Sequence, residues 1–333
     1  MTSESAEIVV VGSLNLDVVV PVRHLPAHGQ TVTGGESTRG CGGKGGNQAV
    51  AASRLGRSVA MVAAVGEDPD GDWLRTVLDR EGVDISAVHR TAERRTGQAV
   101  VLVTADGDST IVVSPGANGW LSPGHVAAAS RLFVGARCLL LQHEVSTEVV
   151  AAAVGLAEGL VLLNPAPARP VDAAILRRVD LLVPNRGELV QLVGAGRPDG
   201  AGWEGAPGFD ALAAMARSLG VRGQVVVTLG ADGALVVNDY RYELVPAEPV
   251  EAADTTAAGD AFCAALADAV LDGASVVEAA RFANRVAALT VTRPGAMDSL
   301  PHRRRLFPGE PDRLIGQNVI SLDETDGHCY GPR

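Results

Sequence analysis

Glu7-Ile8-Val9-Val10-Val11-Gly12-Ser13-Leu14-Asn15-Leu16-Asp17 sets a short apolar run directly ahead of an amide and a carboxylate. A run of this length, closed by small residues, predicts a strand at 7–12. The layout recurs. Runs at 58–65, 137–142 and 159–163 lead into Gly66-Glu67-Asp68, His143-Glu144 and Asn164-Pro165. Those at 179–183 and 224–229 lead into Asn185 with Glu188 and into Thr228-Leu229-Gly230. Helical patterns separate the runs, so the expected fold class is α/β with a mainly parallel central sheet. Open sheets of this kind bind ligands beyond the carboxyl ends of their strands, and that is where the polar residues gather.

Two segments break the alternation. Residues 17–39 and 96–114 read as strands with no helix between them. Ala105-Asp106-Gly107-Asp108, between Val100–Val103 and Ile111–Val113, is a hairpin signal. Together the segments predict a small β-sheet over about 16–40 and 96–115, serving as a lid or a dimer surface. Two hairpins on the edge of the main sheet fit the same pattern. Further on, Phe262, Leu266 and Val270 recur at helical spacing, and Ser275-Val276-Val277-Glu278 is a capping box. The helix it opens carries Phe282, Val286 and Leu289 on one face. Residues 194–209 hold six glycines and two prolines, which predicts a flexible surface insertion. From about residue 303 sustained periodicity is lost. The expected organisation is one domain over 1–305 and a partly disordered tail over 306–333.

Composition narrows the function classes. The formal charge of −11 argues against nucleic-acid and anionic-membrane partners, and 3% aromatic residues provide little stacking surface. No apolar run approaches the ~20 residues that span a bilayer. Cys41, Cys138, Cys263 and Cys329 form no Cys-x-x-Cys pair, which fits reduced thiols in a cytoplasm.

Chemistry concentrates in Asp254-Thr255-Thr256-Ala257-Ala258-Gly259-Asp260, followed at once by a helical pattern. A small-residue turn opening a helix aims backbone N–H groups at one point, where the helix dipole adds positive charge. An acid at the edge of such an anion site suits proton removal from a hydroxyl that attacks a phosphoryl group. An N-capped helix after a polar loop is the ordinary alternative. Gly42-Gly43-Lys44-Gly45-Gly46-Asn47 brings backbone close to a ligand and adds Lys44 and Asn47 as polar contacts. Gly40 to Gly45 matches G-x-G-x-x-G, but polar Glu36–Arg39 precedes it rather than a buried strand. Gly45 follows Lys44, so this is not a Walker A loop. Asn15 and Asp17 lie on one side of an extended chain and suit vicinal sugar hydroxyls, or simply end the strand. His143-Glu144 lacks the second histidine of a zinc site; Glu144 reads as a sugar or metal-shell contact, or as a solvated loop acid. Asn185 and Glu188 read as a Mg²⁺ site through water, or as a helix cap.

These pieces, in this order, resemble the ribokinase branch of the PfkB sugar-kinase family. The resemblance is carried by Gly12–Asp17, Gly42–Asn47, Leu141–Glu144, Asn164–Arg169, Thr228–Gly233, Asp254–Asp260 and Val291–Ala296, and covers roughly 7–301. It implies a Rossmann-like three-layer sandwich with a β lid that often mediates homodimerisation. It implies transfer of the ATP γ-phosphoryl group to the 5-hydroxyl of D-ribose. Asp260 would be the base and the amides of Ala257, Ala258 and Gly259 the anion hole. Asn15, Asp17, Gly43, Lys44, Asn47 and Glu144 would hold the sugar. Asn185, Thr228, Gly230, Gly233, Gly259 and Asn284 would line the nucleotide site. Asn185 and Glu188 would serve the Mg²⁺ water network, and Asp254, Thr256, Thr290, Arg293, Gly295 and Ser299 an activating K⁺. The family usually has a more acidic run around Asn-x-x-Glu; here Arg186 and Gly187 fill it. The 194–209 insertion and the tail match no family role.

The expected activity is therefore a cytoplasmic sugar kinase acting on ATP and D-ribose. A sister kinase for deoxyribose, fructose, a keto-deoxy sugar acid or a nucleoside is the nearest alternative. A non-catalytic sugar- or nucleotide-binding protein and a dehydrogenase are the readings from other classes.

Overall fold

The computed structural model describes residues 6–104, 109–194 and 207–307. Its strands are β1 (Ile8–Val11), β2 (Asn15–Val22), β3 (Thr38–Gly42), β4 (Val59–Gly66), β5 (Val83–Thr91), β6 (Gly97–Thr104) and β7 (Ser109–Ser114). They continue with β8 (Cys138–Gln142), β9 (Leu160–Asn164), β10 (Leu181–Leu182), β11 (Gln224–Thr228), β12 (Ala234–Val237) and β13 (Tyr242–Val245). The helices are α1 (Lys44–Arg54), α2 (Pro69–Arg80), α3 (Pro123–Ala128), α4 (Thr147–Leu156) and α5 (Ala173–Leu176). After them come α6 (Arg186–Gly194), α7 (Phe209–Ser218), α8 (Ala258–Leu271), α9 (Val276–Val291) and α10 (Arg303–Leu306).

Strand β1 shows why the apolar runs matter. Ile8 and Val10 enter one core cluster, which includes residues of α1, α8 and α9; Val9 and Val11 enter the other, which includes residues of α3, α4 and α7. Alternate side chains point to opposite faces, so a strand covered by helices on both sides must be apolar throughout. Each such buried side chain contributes about 1.5–3 kcal/mol. The result is a three-layer α/β/α sandwich.

The main sheet has the order β13-β12-β11-β10-β9-β8-β1-β4-β5, with β12 and β13 antiparallel and the remaining pairs parallel. All six runs expected as strands lie in it. Strand β5 and the pair β12–β13 had no such run to announce them. Residues 83–91 alternate polar and apolar because β5 is an edge strand, exposed at Asp84, Ser86 and Arg90. From β1 the chain proceeds to β4 and β5 on one side, then returns to β8 on the other and continues outward to β11. The carboxyl ends of β1 and β8 are therefore a topological switch point, where open α/β sheets leave a crevice.

Strands β2, β3, β6 and β7 form a separate four-stranded sheet, in the order β3-β2-β6-β7. Strand β2 pairs with β6 in parallel, so the arrangement is not two hairpins on the main sheet. Strands β6 and β7 pair antiparallel, and their turn at 105–108 lies outside the described residues. A strand does precede Gly43, but β3 belongs to this small sheet and is exposed at Thr38 and Arg39, unlike a dinucleotide-binding strand. Of the 194–209 insertion, residues 195–206 lie outside the described residues, as does the tail from 308 to 333. Regular structure continues past residue 303: α10 buries Leu306, and Phe307 stacks on Phe282 with ring centroids 5.8 Å apart.

Candidate active site

Asp260 stands in the first turn of α8 and is only 5% exposed. The turn ahead of it has no side-chain cap. Ala257 occupies the N-cap position at φ 61° and ψ 3°, the one non-glycine residue with positive φ among those described. Holding alanine in this left-handed conformation costs on the order of 1 kcal/mol, strain that concentrates at functional sites. Asp254, a cap residue by type, is turned elsewhere. Its Oδ1 accepts from Thr256 N at 2.9 Å and Thr256 Oγ1 at 2.6 Å, and its Oδ2 accepts from Gly295 N at 2.8 Å. The capped-helix reading of this segment therefore fails. The first-turn amides are left without a side-chain acceptor, and Ala258 N makes only a long bond of 3.4 Å to Thr255 O.

Helix α1 supplies the partners of Asp260. Asn47 Nδ2 donates to Oδ2 at 2.9 Å and Gln48 Nε2 donates to Oδ1 at 3.0 Å. Burial raises the proton affinity of this carboxyl; Lys44, Asn47 and Gln48 oppose the effect, and the net result stays above the ordinary carboxylate range. A raised proton affinity suits a group that must accept a proton. Burial works against the Lys44 cation too, but Asp260, Glu144 and Glu188 prevail and hold it above its usual value.

The switch point brings the sugar-side candidates together. Glu144 follows β8, and its Oε2 accepts from Ser13 Oγ at 2.5 Å, Lys44 N at 3.1 Å and Asn15 Nδ2 at 3.4 Å. It is not a solvated loop acid. Gly43 links β3 to α1 at φ 88°, and a Cβ there would come within 2.7 Å of Asn15 N, so glycine is required. Asp17 lies two residues along β2 from Asn15, with its carboxylate against Gly42. Burial, then the Glu144 and Asp260 charges, push Asp17 up to about 7. His143 is held neutral, its pKa pushed down to about 4 by burial and Arg169. Among the described residues no three His, Cys, Asp or Glu side chains form a metal cluster.

A second group lies at the ends of β10 and β11. Pro184 has no N–H, and the chain is bridged once more at Asn185 and Thr228. Asn185 and Glu188 form the reciprocal cap: Asn185 N donates to Glu188 Oε2, and Glu188 N to Asn185 Oδ1, both at 2.8 Å. Arg186 turns to Asp232, 3.2 Å away, instead of toward this pair. Gly230 and Gly233 shape the turn before β12; a Cβ on Gly233 would strike Val245 O at 2.1 Å. Asn284 Nδ2 donates to that same Val245 O at 3.0 Å and to Pro246 O at 3.1 Å. A third group joins the Asp254 loop to the end of α9. Ala253 N and Asp254 N both donate to Val291 O, at 2.7 and 3.1 Å. Thr290 Oγ1 donates to Val286 O and Ser299 Oγ to Ala296 O, both inside the protein. Arg293 and Gly295 stand in the segment between them.

Four residues of the site had no role assigned from the sequence: Ser13, Gln48, Asn118 and Gln142. Asn118 is 1% exposed. Its Oδ1 accepts from Leu14 N at 2.9 Å, and its Nδ2 donates to Leu14 O at 3.1 Å and Asn15 Oδ1 at 2.8 Å. Its partners lie more than a hundred positions away, and no local spacing signals them.

The chain matches the model of the pfkB family carbohydrate kinases over residues 5–303. It is 35% identical over 298 residues to a ribokinase of Haemophilus influenzae, covering 89% of this chain and 95% of that protein. It is 35% identical over 301 residues to a deoxyribokinase of Salmonella typhi, covering 89% and 95%. Among solved structures, the ribokinase of Arabidopsis thaliana complexed with ribose and ATP superposes with a TM-score of 0.78 at 30% identity, over 92% of this chain and 98% of that one. An uncapped helix turn beside a buried carboxylate, on an open parallel sheet with a second small sheet, thus coincides with a match along nearly the whole described chain: this protein belongs to the pfkB family of carbohydrate kinases.

Proposed function

We propose that the protein transfers the γ-phosphoryl group of ATP to the 5-hydroxyl of D-ribose, giving D-ribose 5-phosphate and ADP. The observation that carries this reading is Asp260: a buried carboxylate beside an uncapped helix turn, facing the cluster of Asn15, Asp17, Lys44 and Glu144. In this reading Asn15, Asp17, Gly43, Lys44, Asn47 and Glu144 hold the sugar through its hydroxyls. Asp260 orients the 5-hydroxyl and accepts its proton as oxygen bonds to phosphorus and the bond to ADP breaks. The amides of Ala257, Ala258 and Gly259 stabilise charge on the transferring group. Transition states of this reaction are loose, so positioning and electrostatics outweigh proton removal. Asn185, Thr228, Gly230, Gly233 and Asn284 line the nucleotide side.

Hard oxygen donors at Asn185 and Glu188 suit Mg²⁺, which prefers to keep waters and phosphate oxygens in its shell. Bound with ATP, it would neutralise phosphate charge. The Asp254 carboxylate, the Ser299 hydroxyl and backbone oxygens of Thr256, Thr290, Arg293 and Gly295 are an all-oxygen set suited to K⁺. The small sheet serves as the lid, within a kinase domain over 1–305. Its edge strand β7 exposes Ile111, Val112 and Val113 at 58%, 64% and 46%, which favours a homodimer through that sheet. Buried thiols at Cys138 and Cys263 suit a reducing cytoplasm.

ADP release with Mg-ATP across ribose, deoxyribose, fructose, keto-deoxygluconate and adenosine, in Na⁺ or K⁺, tests the reading. A ribose optimum that rises with K⁺ supports it; a deoxyribose optimum moves the protein to a sister activity. Asp260→Asn should lower the rate by roughly 10²–10⁴-fold. Near-parent turnover in that variant overturns the role of Asp260.

A further inference from the structure

Two buried amides stand in line with Asp260. Gln48 on α1 and Gln142 at the end of β8 have no exposed surface. Gln142 Nε2 donates to Gln48 Oε1 at 2.6 Å, and Gln48 Nε2 donates to Asp260 Oδ1 at 3.0 Å. A carboxamide carries a donor and an acceptor on adjacent arms, so Gln48 by itself is free to present either to the carboxylate. With its oxygen toward Asp260, two acceptors would meet in a site closed to water. The donor from Gln142 selects the other orientation. Gln142 is itself held in register with Asn164 on β9. Gly12 leaves room for it: a Cβ at that position would come within 1.9 Å of Gln142 Oε1. Among the described residues Gln142 Oε1 has no hydrogen-bond partner, and the two bonds present both run one way, from Gln142 through Gln48 to Asp260.

Resting on the reading of Asp260 as the base, we propose that Gln48 and Gln142 are positioning residues. Gln48 orients the Asp260 carboxylate and stabilises it as the ionised proton acceptor, and Gln142 acts through Gln48 by setting the direction of its amide. The charged and titratable groups around Asp260 explain the need. Lys44 from α1 favours the ionised form, whereas Glu144 after β8, Asp17 on β2 and Glu188 on α6 disfavour it; the Cys263 thiol lies on its own helix. An amide donor supports the carboxylate without adding a charge that would also attract the three neighbouring acids.

The test compares kcat and KM for ribose against pH in the full chain and in Gln48→Met, Gln142→Met, the double variant and Asp260→Asn, with thermal unfolding alongside. Gln48→Met should move the acidic limb of the kcat profile up by about one pH unit, the size of one hydrogen bond to a charged group. Well down the acidic limb its kcat should fall by about tenfold relative to the parent at the same pH, with KM for ribose nearly unchanged. Gln142→Met should shift the limb the same way by less. The double variant should match Gln48→Met, because Gln142 has no separate route to Asp260. Additive losses in the double variant overturn the relay, as does a lowered melting temperature with an unmoved pH limb. Should Gln48→Met fail to fold, Gln142→Met decides alone: a shifted limb supports the relay and a parent limb overturns it. An inactive Asp260→Asn with an unshifted Gln48→Met profile overturns the relay only. An active Asp260→Asn overturns the base assignment beneath it.

Discussion

Asn118→Ala removes a side chain that touches no substrate in the reading above, yet its effect should be seen in both stability and sugar affinity. Three hydrogen bonds are lost: one from Leu14 N, one to Leu14 O and one to Asn15 Oδ1. Leu14 has no exposed surface, so its N–H and C=O both lose their partner away from bulk water. Each such group costs about 1–3 kcal/mol. A water entering the vacated space satisfies part of the deficit, which places the loss at about 3 kcal/mol. Asn15 keeps its weak bond to Glu144 at 3.4 Å but loses the contact that fixes its amide. The KM for ribose should therefore rise by about tenfold, the equivalent of one hydrogen bond, while kcat changes little. Urea unfolding at unchanged m-value and steady-state ADP release measure the two effects. Asn118→Asp keeps the acceptor for Leu14 N but sets oxygens against Leu14 O and Asn15 Oδ1, and should be no milder. An unfolding free energy within about 0.5 kcal/mol of the parent would refute the reasoning. A fall in kcat at constant KM would refute the link to Asn15.

Asp17, with a carboxyl pushed up to about 7, binds its proton more tightly folded than unfolded, so its contribution to stability is present below pH 4 and is lost as pH rises to 7. Sugar hydroxyls need the ionised acceptor, so KM for ribose should rise by about tenfold from pH 8 to pH 6; a flat KM over that range contradicts the assignment. Gly42→Ala would set a Cβ 2.0 Å from Asp17 Oδ2, and should raise KM for ribose by displacing that carboxylate while ATP affinity holds; isothermal titration with each ligand separates the two. Ala257→Gly relieves the left-handed strain and should add about 1 kcal/mol to unfolding stability; unchanged or lower stability in urea would show that the strain is absorbed elsewhere.

The parts legible in the sequence are those whose physics is local. The capping box at Ser275 and Glu278 formed as expected, because the two residues lie within one helical turn of each other. The continuous apolar runs became the parallel strands, because burial on both faces leaves no polar position. The Asp254–Asp260 segment announced a small-residue turn opening a helix, though not the left-handed alanine that leaves it uncapped. Strand β5 stayed hidden because an edge strand alternates with solvent. Asn185 and Glu188 show the reverse case: both of the readings open to them use the same atoms, and the structure contains the reciprocal cap.

By itself, then, the sequence determined the layer architecture and the order of chemical groups along the chain, since strand burial, helix capping and turn chemistry act over a few residues. Only the tertiary structure decided which groups meet. Reversal of strand order between β1 and β8 places Ser13, Asn15, Glu144 and Asp260 around one crevice. It also joins Gln142 to Gln48 across 94 positions, Asn118 to Leu14 across 104 and Gln48 to Asp260 across 212. Contacts at such separations depend on how the sheet is wound, and no local pattern of residues encodes the winding.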